Sequence, residues 1–199
     1  SDFTGSNSGQ VTIAAGQLTA DFAVTIAADA LVESNESYLV DISIVDGPAV
    51  TLINQAVGTI LNDDASIGFG LSTFTGDEGN ADNGELLFTV VRDGFNKNYI
   101  SANWKVVLVD GGAVAGDFAQ GQDGLLDNAG LPSGRVELLP GQAQQQIAIE
   151  TLANLALEAD KAYQIVLFDD GTGAQLAAYT ANAVIANDDA VFSMVDSTV

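Results

Sequence analysis

Acidic residues gather in four short segments of this sequence, and three of these segments occur twice. Neighbouring carboxylates repel one another, so gathering them is costly unless a cation lies among them. Hard divalent cations, above all Ca²⁺, take about six to eight oxygen ligands from such groups. The pattern therefore favours a cation site. The segments are Asp2 with its counterpart Asp117, residues 29–36 with 154–161, Asp63-Asp64 with Asp188-Asp189, and Asp77-Glu78.

The same segments have a second interpretation as ordinary turns. Asp and Asn are common turn residues at strand ends, where each side chain can be solvated on its own. Any one segment fits this interpretation as well as it fits a metal site. The recurrence of the segments in register favours the metal site, and for each segment taken alone the turn interpretation stays open.

An internal repeat positions the acidic segments. The motif at residues 60–65 returns at residues 185–190, and at this offset of 125 residues the chain aligns with itself without a gap from Ser8 to Ala65. A period of this length indicates a whole domain rather than a solenoid unit. We predict that residues 65–189 form one complete copy (copy two) and residues 1–64 the second half of a copy (copy one). Residues 190–199 match a first strand of a further copy, as expected for part of a longer array.

Alternation of apolar and polar residues predicts β-strands throughout the chain. The longest run is residues 100–108, which includes Trp104, and shorter runs include residues 22–26 and 38–44. No stretch has convincing helical spacing. Roughly seven strands per copy, separated by turn residues, predict an all-β, antiparallel β-sandwich. Trp104 is expected in its core.

Charge and composition exclude several classes of function. The chain has 27 acidic and 5 basic residues, a formal net charge of −22, which disfavours nucleic acid and anionic membranes as partners. It contains no cysteine and no histidine. The usual zinc, copper and haem ligand sets and the Ser-His-Asp and Cys-His nucleophiles are therefore excluded. No apolar run is long enough to predict membrane insertion of this segment.

Several short motifs follow one another in a fixed order along the chain. They are Val91-Arg92-Asp93-Gly94, residues 111–118, Ser133-Gly134-Arg135-Val136 with Gly141-Gln142, the segment around Glu158, and Asn187-Asp188-Asp189. This ordered set resembles the Calx-β domain family, over residues 65–189 and, in residues 1–64, over the second half of a domain. The resemblance implies an immunoglobulin-like sandwich that gathers calcium in loops at one end, near the junction with the following domain.

The resemblance also implies a set of calcium ligands, matched position by position. Copy two departs from the family pattern at Asn154 and Lys161, where acidic residues are expected. Because an ammonium group opposes a cation, copy two should hold fewer or weaker calcium ions than copy one. The implied ligands are Asp2, Asp29, Glu33, Glu36, Asp63 and Asp64 in copy one, and Glu78, Asp117, Glu158, Asp188 and Asp189 in copy two.

These features favour a calcium-binding structural and adhesive repeat region of a large extracellular or cell-surface bacterial protein. Ca²⁺ would stiffen each domain and its junction, and the partners would be neighbouring repeats or other copies arranged head-to-tail in a filament. A calcium-sensing regulatory module and an accessory domain of a larger secreted enzyme are the alternatives. We expect no catalysis from this segment, because its acid pairs lack an aromatic sugar platform.

Overall fold

A computed structural model describes residues 2–6, 8–47, 53–95, 97–121, 125–171 and 175–191. These residues contain twelve strands and one 3-10 turn, Ala115–Asp117, and no helix long and apolar enough to cross a lipid bilayer. The strands are β1 Glu36–Asp41, β2 Gln55–Ile60, β3 Ala65–Phe69, β4 Thr73–Asp77, β5 Glu85–Gly94, β6 Ile100–Leu108, β7 Phe118–Gly121, β8 Ser133–Leu138, β9 Gln144–Thr151, β10 Lys161–Phe168, β11 Gln175–Leu176 and β12 Thr180–Ala186.

Copy two is a sandwich of two five-stranded sheets. One sheet has the order β4-β12-β10-β6-β8 and the other β11-β3-β5-β9-β7. Along each strand alternate residues point inward, so Phe88, Trp104 and Tyr163 are each at most 1% exposed and meet between the sheets. The predicted all-β, immunoglobulin-like sandwich is confirmed.

The edges of the sandwich contain two parallel strand pairs that the sequence analysis did not predict. β3 pairs in parallel with β11, and β4 pairs in parallel with β12. The chain passes from one sheet to the other between Phe69 and Thr73. The first strand of copy two is therefore divided into β3 and β4, which join different sheets. This division places the residue that follows β4 beside the residue that follows β12.

Copy one repeats the backbone pairing of the second half of copy two. β1 and β2 pair with Glu36 opposite Ile60, and β10 and β12 pair with Lys161 opposite Ile185, which is the same register shifted by 125 residues. A backbone hydrogen bond at Asp2 also recurs at its counterpart Asp117. The carbonyl oxygen of Asp2 accepts the amide of Ala27 at 2.8 Å, and that of Asp117 accepts the amide of Leu152 at 2.9 Å.

Copy one differs from expectation at residues 22–26, which were predicted to form a strand. The structure has only an isolated bridge there, between Phe3 and Ile26. The counterpart of this segment, β9, is held between β5 and β7, and the described part of copy one offers no strand equivalent to β5. The domain boundaries stay a prediction, and residues 192–199 of the proposed further strand lie outside the described residues.

Candidate metal centres

Parallel pairing of β4 with β12 creates an acidic cluster at one end of copy two. Asp77 lies opposite Ala186, and the amide of Glu78 donates to the carbonyl oxygen of Ala186 at 3.1 Å. The residues that follow the two strands therefore lie side by side. Carboxylate oxygens of Glu78, Asp188 and Asp189 all come within 4.8 Å of one another. We call these three residues the copy-two triad.

A tight turn fixes the position of Glu78. Gly79 has a φ of +89°, and a Cβ at this position would collide with the carbonyl oxygen of Asp82. The carbonyl oxygen of Glu78 accepts the amide of Gly84 at 2.8 Å and the hydroxyl of the buried Thr151 at 3.1 Å. The backbone of Glu78 is thus held from both sides, and its side chain is directed inward.

The carboxylate of Glu78 is buried and only partly satisfied. Its side chain accepts one hydrogen bond, from Asn154 Nδ2 to Oε2 at 2.8 Å, and the residue is 3% exposed. Within the described structure, Glu78 Oε1 and Asp189 Oδ2 are buried without a hydrogen-bond partner. Such atoms cost about 1–3 kcal/mol each when they stay unsatisfied. A cation among the three carboxylates would satisfy both.

Electrostatics at Glu78 lead to the same conclusion. Burial raises the pKa of Glu78 above its ordinary value, and the carboxylates of Glu158 and Asp189 raise it further. The Lys161 ammonium and the hydrogen bond from Asn154 act in the opposite direction without cancelling the rise. The charged form of Glu78 is therefore disfavoured without a further cation, chiefly because the carboxylate is buried.

A second acidic group in copy two already contains a cation, the side chain of Lys161. Its Nζ lies 2.8 Å from Asp117 Oδ1 and 2.5 Å from Glu158 Oε2. Burial alone would lower the pKa of Lys161, but the hydrogen bonds to Asp117 and Glu158 raise it above its ordinary value. The ammonium is therefore charged and occupies the space between two of the implied calcium ligands.

In copy one the same position carries an acid. Glu36 aligns with Lys161, and it lies beside Asp2 as Lys161 lies beside Asp117. Repulsion from the Asp2 carboxylate, together with a hydrogen bond between the two side chains, raises the pKa of Glu36, and Glu33 adds to the rise. Asp2, Glu33 and Glu36 therefore form one group that has no lysine at the position of Lys161.

The remaining implied ligands of copy one form a second group. Burial raises the pKa of Asp64, and the carboxylates of Asp63 and Asp29 raise it further. The two groups parallel the Lys161 group and the triad of copy two. Among the described residues, the copy-two triad is the one set of three carboxylates with oxygens all within 4.8 Å of one another.

Sequence reasoning did not assign a role to the asparagine that precedes each Asp-Asp pair. Asn62 Oδ1 accepts the amide of Glu33 at 3.0 Å, and Asn187 Oδ1 accepts the amide of Glu158 at 2.8 Å. Each asparagine also donates from Nδ2 to the backbone of its own motif, to the carbonyl oxygen two residues later. These two side chains tie the acidic loops together. Their repetition in register was the signal that could have identified them.

Several solved structures of other proteins are similar to this chain. The apo-form Calx CBD1 domain matches with a TM-score of 0.50 and 28% identity, over 63% of this chain and 98% of that chain. The resemblance to Calx-β domains is confirmed. The calcium binding domain CBD12 of CALX1.1 also matches, with a TM-score of 0.50 and 29% identity over 66% of this chain, which spans 50% of that structure. Neither a family model nor a curated protein matches the sequence.

Proposed function

We propose that this chain binds Ca²⁺ through the carboxylate groups at the ends of its β-sandwich. The observation that supports the proposal most directly is the buried, unpartnered Oε1 of Glu78, a residue whose carboxylate lies within 4.8 Å of those of Asp188 and Asp189. The ligands are oxygens throughout, and the chain has no histidine or cysteine. Ca²⁺ accepts such sets in flexible geometry, whereas Mg²⁺ demands a near-octahedral site and keeps several of its waters.

Contacts between the copies support a role for the metal in stiffening the junction. The amide of Phe95 donates to the carbonyl oxygen of Asp64 at 2.8 Å, so the Asp-Asp motif of copy one contacts the β5–β6 loop of copy two. A cleft beside this contact is lined by Glu33, Asn62 and Lys97, among others. An ion held by Asp63 and Asp64 would therefore restrain both copies.

At a finer level, we propose that the chain is a structural and adhesive repeat region of a large extracellular bacterial protein, without catalysis of its own. The runner-up functions are a calcium-sensing module and an accessory domain of a larger secreted enzyme. Affinity separates the first two, because sensors bind calcium with Kd values of roughly 10⁻⁷–10⁻⁵ M and extracellular modules with about 10⁻⁴–10⁻³ M. Neighbouring catalytic sequence in the parent protein would indicate the third.

Calorimetric titration with Ca²⁺ tests the proposal on the intact chain. We expect saturable binding, and we expect Glu78→Gln to abolish the copy-two component because it removes a ligand charge from the triad. Glu85→Gln is the matched control: it makes the same change at an exposed position on β5. Equal binding by both variants and the unchanged chain would contradict the assignment of the triad.

Lys161→Glu should strengthen calcium binding by copy two. The substitution removes the ammonium between Asp117 and Glu158 and restores the acid that copy one has at Glu36. We expect additional or tighter binding in the same titration. Lys105→Glu changes the net charge equally at an exposed position on β6 and should have little effect. Unchanged binding by Lys161→Glu would show that this part of the ligand assignment is wrong.

In chelator, the free energy of unfolding should rise as the pH is lowered from neutral into the range just above the ordinary carboxyl pKa values. The pKa values of Glu36, Asp64 and Glu78 are all raised in the folded state. Between the ordinary and the raised values the folded chain binds protons that the unfolded chain does not, so stability falls as the pH rises through this window. Denaturant titrations at several pH values measure the slope. Glu78→Gln should flatten it, and a stability that decreases as the pH is lowered through this range would contradict this account.

A further inference from the structure

Copy one exposes apolar residues whose counterparts line the inner faces of both sheets in copy two. Six of its apolar residues are 39–58% exposed, and we call them the open face: Val11, Ile13, Phe22, Val24, Ile26 and Ile42. Their counterparts 125 residues later are at most 1% exposed: Val136, Leu138, Ile147, Ile149, Thr151 and Leu167. The two copies thus share an inward-facing pattern, but the described structure buries it in copy two alone.

The strands of copy one also have unpaired edges. In copy two, β10 lies between β6 and β12, and β12 lies between β10 and β4. β1 and β2 have the register of β10 and β12, yet within the described residues they form a two-stranded sheet by themselves. Among the described residues, each strand therefore has one edge that pairs with no further strand, and such an edge is a template for strand addition.

Copy two shows which residues fit against this face. Its cover is the segment 65–108, which contains β3 to β6. Trp104 pairs with Leu167, the counterpart of Ile42. On the other sheet, Leu86 pairs with Ile149 and Phe88 with Ile147, and these are the counterparts of Val24 and Phe22. The repeat thus specifies the occupant of the open face position by position.

We propose that the open face and the two free edges of copy one form a docking surface for a polypeptide segment with the strand pattern of residues 65–108, the first half of a repeat of this type. The segment would add one strand to β1 and one to β2 and would bury the open face. It would also place a carboxylate equivalent to Glu78 beside Asp63 and Asp64, because Glu78 lies in the corresponding segment of copy two.

A fusion that supplies this segment tests the proposal. An additional copy of residues 65–116 is placed directly before Asp2 of the chain, which reproduces the connection from Gly116 to Asp117 in copy two. Hydrogen exchange is measured in chelator, so that the result does not depend on calcium binding. We expect the amides of β1 and β2 to exchange about tenfold or more slowly than in the unfused chain. Binding of an apolar dye should also decrease.

Two variants of the fused chain distinguish docking from a general effect of the added segment. Val40→Asp places a charge on the inner face of β1, where the counterpart Ile165 is 0% exposed, and it should cancel the protection. Leu39→Asp is the control, because Leu39 is 62% exposed and its counterpart is Gln164. Unprotected β1 and β2 amides in the fused chain would overturn the proposal. Dimers that light scattering detects equally in the fused and unfused chains would also overturn it, because a second copy would then cover the face.

Discussion

Millimolar Ca²⁺ should raise the midpoint of thermal unfolding of this chain by roughly 5–10 °C relative to chelator. Ca²⁺ at about 10 mM is present at about 100 times a Kd of about 10⁻⁴ M, the tight end of the extracellular range, and a ligand at that ratio stabilises the folded state by about 2.7 kcal/mol if it does not bind the unfolded chain. In a protein of this size, 1 kcal/mol corresponds to about 2–4 °C. The gain is expected because an ion would satisfy Glu78 Oε1 and Asp189 Oδ2, which are buried without partners in the described structure.

The same measurement distinguishes a specific ion from general screening. The formal net charge is −22, so any salt should reduce self-repulsion to some extent. Na⁺ at equal ionic strength should therefore give only a small rise, and Mg²⁺ should give less than Ca²⁺. Glu78→Gln should lose part of the Ca²⁺ gain, whereas Glu85→Gln should keep all of it. A melting curve indifferent to both Ca²⁺ and chelator would remove calcium from this account.

The sandwich was predictable because its signals are local. Alternation along residues 100–108 determines which face of β6 is buried, and Trp104 and Val106 lie on that face at 0% and 1% exposure. The repeat at 125 residues likewise predicts that β1 with β2 and β10 with β12 share one register. The sequence did not predict that the first strand of copy two divides into β3 and β4, which belong to different sheets. That division depends on which edge each half can reach in the folded chain.

The arrangement of the acidic residues into groups was not predictable from spacing. Alignment indicated that Lys161 replaces an acid, but its contact with Asp117 joins positions 44 residues apart and depends on the path of the intervening loop. Similarly, Glu78 meets Asp188 because β4 and β12 run in parallel. Whether the eleven implied ligands all bind metal stays a prediction. The structure shows which of them lie close together.

Trp104→Ala should lower the free energy of unfolding by about 3–5 kcal/mol, the range for truncating a fully buried aromatic residue. Trp104 is 0% exposed and lies on β6 between Gly134 of β8 and Leu167 of β10. The indole packs so closely on Gly134 that a Cβ there would lie 3.0 Å from the ring. Its Nε1 has no hydrogen-bond partner in the described structure, so the expected loss arises from packing and the cavity that remains.

Two further variants and the fluorescence of Trp104 make this last prediction specific. Lys105→Ala alters the next residue on the opposite face of β6, which lies 5.7 Å from the ring of Phe168, and it should cost less than about 1 kcal/mol. Trp104→Phe should cost less than Trp104→Ala, because a phenyl ring fills part of the cavity and leaves no unpaired N–H. Trp104 is the only tryptophan, so its fluorescence reports this site directly. Emission typical of a water-exposed indole would contradict the register of β6, and denaturant titrations of the three variants would measure the costs.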